Sequence, residues 1–172
     1  NFFTGVPDSL LKSFCGFVAD NADNQHHVIV ANEGGAVAAG IGYHLATGNV
    51  PMIYMQNSGL GNAINPLISL ADRDVYSIPM IVLIGWRGEP DFHDEPQHIK
   101  QGKIMLAMID SMKLPYKILT GNLDEDKETV RLLTKEAIRN QTPVFLVARK
   151  NLFKTYQFSN QEQFAQIDNL PT

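Results

Sequence analysis

The stretch that decides the fold is VIVANEGGAVAAGIGYHLATG, residues 28–48, in which an apolar run leads into a helical pattern of small residues. The run HVIVA, residues 27–31, is short and β-branched, which is typical of a strand buried on both faces of a parallel sheet. Residues 33–46 have a helical pattern, and Asn32 before them is a good N-cap. The stretch therefore predicts a strand and the crossover helix of a βαβ unit.

The alternation of strands and helices continues along the chain. Further strands are predicted at residues 51–55, 79–85, 116–119 and 143–148, and further helices at residues 8–19, 60–71, 97–112 and 125–139. Phe2 and Phe3 lead directly into TGVPDS, which has the composition of a turn. This spacing predicts an α/β domain over residues 1–150, with three layers and a doubly wound, mostly parallel sheet. Residues 151–172 are polar and weakly patterned, and we expect a linker or a trailing helix toward a further domain.

Composition argues against several classes of protein. The 172 residues are 44% hydrophobic and 19% charged, as in ordinary globular domains, and the net charge of −4 gives no basic surface for nucleic acid or an anionic membrane. No apolar run approaches the roughly 18 residues that span a bilayer. Cys15 is the only cysteine and lies in an apolar helical pattern, so we expect a buried, inert thiol and a cytoplasmic setting.

Polar, glycine-rich loops follow three of the predicted strands. They are NEGG at residues 32–35, QNSGLGN at residues 56–62 and GWRGEPDFHDEPQH at residues 85–98. Ligands of such sheets bind outside the carboxyl ends of the strands, so we expect the functional site at this edge. The loop TGVPDS, residues 4–9, could reach the same edge or that of a partner.

Known motifs account poorly for these loops. SGLGNAI resembles a dinucleotide loop, but Ile64 stands where that motif has glycine or alanine, and no acidic residue ends the following strand. Ser58 follows a strand without the G-x-S-x-G pattern of a hydrolase nucleophile. Nucleotide binding and hydrolysis are therefore disfavoured.

A metal site is disfavoured as well. His93 and His98 share a loop with Asp94 and Glu95, a set that could hold a cation. No Cys/His ligand spacing is present, and we interpret the loop as solvated and charged, with no metal ligand predicted.

Glu33 and the small residues after it need an explanation. On the residues alone, Glu33 is most simply an acid in the first helical turn, where it suits the helix dipole. Each glycine costs the helix up to about 1 kcal/mol relative to alanine. A helix this thin lets another backbone, helix or ligand approach closely, and we expect such a contact to offset the cost.

Five segments together resemble a known family, the phosphonopyruvate decarboxylases, which are thiamine-diphosphate enzymes of phosphonate biosynthesis. They are NFFTGVPDSLLKSFC, ANEGGAVAAGIGYHLATG, YMQNSGLGNAINPLISLAD, YSIPMIVLIGWRGEPDFHDEPQHIKQGK and LPYKIL. Sulfopyruvate decarboxylases are close relatives that share the MQNSGLGN type of segment. The resemblance implies decarboxylation of 3-phosphonopyruvate to phosphonoacetaldehyde and CO₂. A sulfopyruvate decarboxylase alpha-type subunit and a noncatalytic α/β binding module stay open as alternatives.

The resemblance also implies a division of labour between two domains. This chain resembles the domain that binds the aminopyrimidine of thiamine diphosphate. The family's G-D-G…N-N motif, which holds the diphosphate through Mg²⁺, is not found in this sequence. The implied partners are a diphosphate-binding domain or subunit, a further copy in an assembly that is at least a dimer, and a small 2-oxo acid.

Residue roles are implied in the same way. The resemblance makes Glu33 the catalytic acid that hydrogen-bonds N1′ of the aminopyrimidine. Asp8 matches a catalytic residue near the reacting carbon and the substrate, although a helix cap is an equally good interpretation. The remaining implied residues are Gln56, Asn57 and Ser58 for the cofactor, and Arg87, Gln97 and His98 for the substrate, with the Arg87 fork suited to a phosphonate.

Overall fold

The structure is a computed structural model that describes residues 2–158. Six strands form one sheet, with helices between them. The elements are β1 (Phe3–Gly5), α1 (Lys12–Asn21), β2 (His27–Ile29), α2 (Glu33–Thr47), β3 (Met52–Gln56), α3 (Leu60–Pro66), β4 (Met80–Gly85), α4 (Pro96–Ser111), β5 (Tyr116–Ile118), α5 (Leu123–Asn140) and β6 (Pro143–Ala148).

The sheet has the strand order β2-β1-β3-β4-β6-β5, and every neighbouring pair is parallel. Alternate residues of the strands face opposite layers, since Ile53 and Met55 pack with α2, α3 and α4, whereas Tyr54 packs with α1 and α5. The predicted three-layer, doubly wound α/β fold is confirmed, and the described sheet is entirely parallel. All six residues of β4 and of β6 are buried, as expected for inner strands covered on both faces.

Two expectations about strands were wrong. No strand was predicted near the start of the chain, yet β1 includes Thr4 and Gly5 of the TGVPDS stretch and pairs with both β2 and β3. The run after His27 was expected to be buried on both faces, yet β2 is an edge strand in which Val28 is 36% and Ile29 47% exposed. A strand of three residues such as β1 has too short a pattern to be recognised, and an apolar run does not reveal whether a neighbour will cover it.

The helix boundaries follow local chemistry. The Asn32 side chain accepts a hydrogen bond from Gly35 N at 2.8 Å, so α2 begins where its N-cap predicted, and it ends at Gly48 with φ 72°. The helix predicted from Asp8 begins only at Lys12. Pro66 lies inside the helix predicted over residues 60–71, where the α-helix ends and a π-helical turn follows.

The small residues of α2 make contacts within the chain. A Cβ on Gly34 would lie 2.7 Å from the backbone oxygen of Asn62 in α3, and a Cβ on Gly40 would lie 2.9 Å from Ile53 Cδ1. The expected close approach is therefore confirmed for these two glycines. Gly42 has no atom within 4 Å of such a Cβ among the described residues, so packing of a partner helix there stays a prediction.

The segment after β6 returns across α1. Tyr156 N donates to Ser13 Oγ at 3.2 Å, and a Cβ on Gly16 would lie 2.2 Å from the Phe158 ring. No helix or strand occurs at residues 151–158, and the rest of the predicted linker or trailing helix, residues 159–172, lies outside the described residues. Cys15 is buried as predicted, and burial raises the pKa of its thiol to about 11. Over residues 2–158, no helix is long and apolar enough to cross a membrane.

Candidate functional site

The loops after β1, β3 and β4 meet at one edge of the sheet. Asn57, which follows β3, donates through Nδ2 to the carbonyl oxygen of Arg87 at 2.7 Å and accepts from Arg87 N at 3.2 Å. Arg87 Nη1 donates to Ser9 Oγ at 2.9 Å, which joins the third loop. The prediction that the TGVPDS loop could reach this edge is confirmed.

Glu33 lies where α2 begins, against the loop after β3. Its Oε2 accepts a hydrogen bond from Asn62 Nδ2 at 2.9 Å, and no described residue donates to Oε1. A Cβ on Gly59 would lie 2.1 Å from Glu33 Cδ, so only glycine leaves space for the carboxylate in this position. The side chain is half-buried, which leaves one carboxylate oxygen able to share a proton with a ring nitrogen of a ligand.

Asp8 is a buried carboxyl on the β1 side of the edge. It is 7% exposed; Oδ2 accepts from Leu10 N at 3.2 Å, and the buried Oδ1 has no hydrogen-bond partner among the described residues. Gly85 provides the space, because a Cβ there would lie 2.6 Å from Asp8 Oδ2. Burial raises the pKa of Asp8 above its usual value, while the positive charge of Arg87 acts in the opposite direction.

Arg87 is engaged by Asp94. Its Nε donates to Asp94 Oδ2 at 2.9 Å and its Nη2 to Oδ1 at 2.5 Å, while Gly88 N also donates to Oδ2. These hydrogen bonds hold the pKa of Asp94 well below its usual range. The interpretation of this loop as solvated was wrong for Asp94, whose side chain is 11% exposed. Binding of a substrate anion by Arg87 stays a prediction, and in this structure the guanidinium ties two loops together.

The other predicted residues differ in burial and in whether their side chains already make hydrogen bonds. Gln56 Nε2 donates to Ser58 Oγ at 2.6 Å, beside Glu33, whereas Asn57 is buried and its amide is engaged with Arg87. Gln97 and His98 lie in the first turn of α4. Gln97 is exposed, and the buried Nδ1 of His98 has no hydrogen-bond partner within residues 2–158. The roles predicted for these five residues stay predictions.

Sequence reasoning missed three residues of this edge. They are Asn62, which orients Glu33, Ser9, which accepts from Arg87, and Asp94, which pairs with Arg87. Asn62 could have been suspected, because it belongs to the polar segment QNSGLGN, residues 56–62, that was expected at the site. The residues described here contain no group of three or more His, Cys, Asp or Glu side chains placed to hold a metal ion.

Comparisons with known proteins place the chain in one family. Residues 1–112 match the family described as thiamine pyrophosphate enzyme, N-terminal TPP binding domain. A phosphonopyruvate decarboxylase from Streptomyces viridochromogenes is 36% identical over 121 residues, which are 70% of this chain and 30% of that protein. The sulfopyruvate decarboxylase subunit alpha from Methanococcus maripaludis is 30% identical over 147 residues, which are 86% of this chain and 84% of that subunit.

Solved structures show the same fold. The crystal structure of benzoylformate decarboxylase from Polynucleobacter necessarius matches with a TM-score of 0.61 and 18% identity, over 93% of this chain and 29% of that one. This chain thus spans about 30% of the phosphonopyruvate decarboxylase and of the benzoylformate decarboxylase that it matches. The family match and the relatives at 30% identity or more show that the chain belongs to the thiamine pyrophosphate enzymes, as their N-terminal TPP binding domain.

Proposed function

We propose that this chain supplies the pyrimidine-binding half of a thiamine-diphosphate-dependent decarboxylase that converts 3-phosphonopyruvate to phosphonoacetaldehyde and CO₂. The observation that carries the proposal is the carboxylate of Glu33, held by Asn62 and by the space at Gly59, with Oε1 free of hydrogen bonds from the described residues. The relatives named phosphonopyruvate decarboxylase support the choice of reaction. We also infer a cytoplasmic setting, supported by the single buried cysteine.

The residues present fit the pyrimidine end of the cofactor. When bound, thiamine diphosphate supplies the electron sink for loss of CO₂ from a 2-oxo acid. The free Oε1 of Glu33 would face a ring nitrogen of the cofactor and could share a proton with it, and the hydrogen bond from Asn62 keeps the carboxylate oriented. Gln56 and Ser58 line the adjacent loop and offer amide and hydroxyl groups to the same ring. We assign the diphosphate and Mg²⁺ to a second domain or subunit.

Asp8 is the second proton-handling group of the proposal. Its carboxyl is buried, one oxygen lacks a partner among the described residues, and its raised pKa favours the protonated form. Such a group can hold or deliver a proton beside the reacting carbon of the substrate. Only 7% of Asp8 is exposed, which limits the access of water to it.

A sulfopyruvate decarboxylase alpha-type subunit is the second candidate. The observation that favours it is the relative from Methanococcus maripaludis, which is named as that subunit and is 30% identical over 147 residues. In either case we propose an assembly of at least two copies, in which the site is completed by a diphosphate-binding domain or subunit. A noncatalytic binding module is the remaining alternative, and it predicts turnover of neither substrate.

The test combines the chain with its complementary domain or subunit and measures CO₂ release from both substrates. Faster turnover of phosphonopyruvate supports the first candidate, faster turnover of sulfopyruvate the second, and turnover of neither contradicts both. Glu33→Gln should lower kcat by at least about a hundredfold, the size expected for loss of a positioned acid. Glu136→Gln on α5 is the matched control and should leave kcat unchanged. Normal turnover by Glu33→Gln would overturn the assigned role.

A further inference from the structure

A cleft on the α1 side of the sheet edge is lined by three basic side chains. It has a volume of about 860 Å³, within the range typical of small-molecule sites. The start of α1, the loop after β4 and the segment after β6 form its walls. The charged and hydroxyl-bearing residues that line it are Ser9, Lys12, Ser13, Arg87, Asp94, Lys150, Thr155 and Tyr156.

The charges of this cleft do not cancel. Arg87 and Asp94 neutralise each other in their ion pair. Within residues 2–158 Lys150 makes no ion pair, and Lys12 makes only a cation–π contact, with Nζ 5.9 Å from the centre of the Phe158 ring. The lining therefore carries a net charge of about +2 in a chain whose net charge is −4.

The hydroxyl groups of the cleft are available as donors. Ser9 Oγ accepts from Arg87 Nη1, and Ser13 Oγ accepts from the backbone N of Tyr156. A hydroxyl has one proton to donate as well as lone pairs to accept, so both serines keep their own protons for a ligand. Two ammonium groups and two hydroxyl donors suit an oxyanion that can accept several hydrogen bonds.

The cleft adjoins the candidate catalytic carboxyl. Ser9 directly follows Asp8, and the charge of Arg87 acts on Asp8 as well as bordering the cleft. A ligand whose oxyanion lies between Lys12 and Lys150 can therefore extend toward the edge of the sheet that carries Asp8. The cleft has room for the whole of a small 2-oxo acid with a second acidic group.

We propose that Lys12, Lys150 and the hydroxyls of Ser9 and Ser13 bind the tetrahedral oxyanion at the end of the substrate remote from its 2-oxo acid group. This assignment rests on the proposed function, and it moves the role predicted for Arg87 to two lysines that are free of ion pairs in the described chain. The charge of about +2 matches a phosphonate dianion better than a sulfonate monoanion, so the same groups select between the two candidate substrates.

Binding is tested on the full chain with two probes of matched shape, methylphosphonate and methanesulfonate, at a pH where the phosphonate is a dianion. Calorimetry should give a lower Kd for methylphosphonate. Lys12→Ala and Lys150→Ala should each weaken its binding about tenfold, the loss expected for one charge-assisted hydrogen bond, and Lys12→Arg should restore most of it. The control Lys103→Ala, on α4, should bind as the unaltered chain does. Absence of saturable binding, or binding that both alanine variants retain, overturns the proposal.

Enzyme kinetics then show whether the cleft binds the oxyanion of the substrate or an oxyanion that is not part of the substrate. In the enzyme assembled with its complementary domain or subunit, Lys12→Ala should raise KM for phosphonopyruvate about tenfold and leave kcat within about twofold. Probe binding that depends on both lysines, together with an unchanged KM, would mean that the cleft takes a free oxyanion, and would overturn the substrate assignment. An assembled enzyme that decarboxylates neither substrate contradicts the proposed function, while the calorimetry still decides whether the cleft binds an oxyanion.

Discussion

Replacing Gly59 with alanine should separate the position of Glu33 from the stability of the fold. The new Cβ would lie 2.1 Å from Glu33 Cδ, 2.2 Å from Oε1 and 2.3 Å from Cγ, so the carboxylate must leave its place. The backbone of Gly59 has φ −79° and ψ −10°, which alanine adopts without strain. The clash is with the flexible end of a side chain, and the fold need not move.

Two contributions of Gly59→Ala to the free energy of unfolding nearly cancel. Displacing Glu33 removes its hydrogen bond with Asn62, which contributes about 1 kcal/mol at a half-exposed position. Alanine lowers the entropy of the unfolded chain and returns about 0.5–1 kcal/mol. We therefore expect Gly59→Ala to change the free energy of unfolding by less than about 1 kcal/mol, and to lower kcat at least about a hundredfold, the loss also expected for Glu33→Gln.

The assay pairs urea unfolding with CO₂ release by the assembled enzyme. Gly61→Ala is the matched control, because no described atom lies within 4 Å of its Cβ, and it should keep both stability and turnover. Gly59→Ala and Glu33→Gln act on the same group, so the double variant should be no slower than the worse single variant. Normal turnover by Gly59→Ala, or a loss of several kcal/mol in stability, would refute this reasoning.

Three further predictions concern the same edge of the sheet. The pKa of Asp8 is raised in the folded chain, so its contribution to stability is full below its ordinary pKa of 3.8 and is lost as the pH rises. Asp8→Asn should therefore raise Tm at neutral pH, and a fall in Tm at that pH would contradict this prediction. The pKa of Asp94 is lowered, so its ion pair with Arg87 stabilises the fold above pH 3.8. Asp94→Asn should lower the free energy of unfolding in urea by about 2 kcal/mol at pH 7, and the difference from the unaltered chain should shrink in acid. A difference that does not depend on pH would contradict a role for the ion pair. A Cβ on Gly102 would lie 1.7 Å from the backbone oxygen of Gly88, so Gly102→Ala should cost about 3 kcal/mol by forcing the loop after β4 away from α4, and unchanged urea unfolding would refute this contact.

Local chemistry accounts for the parts of the fold that the sequence predicted well. The N-cap at Asn32 and the left-handed Gly48 bound α2 through contacts among near neighbours along the chain. The inner strands β4 and β6 are apolar runs of the kind typical of strands covered on both faces, and all their residues are buried. The resemblance to thiamine-diphosphate decarboxylases rests on the same kind of local information, since it consists of short segments.

By itself, then, the sequence determined the alternation of strands and helices, the parallel sheet, the edge that carries the site and the place of Glu33 at the start of α2. Only the tertiary structure decided that β1 is an inner strand and β2 an edge strand, that Asn62 orients Glu33, and that Arg87 donates to Ser9. The physical reason is the separation along the chain. Arg87 and Ser9 are 78 residues apart, and Glu33 and Asn62 are 29 apart. No periodicity within a short window encodes such pairs, because they form only when the sheet brings the ends of its strands together.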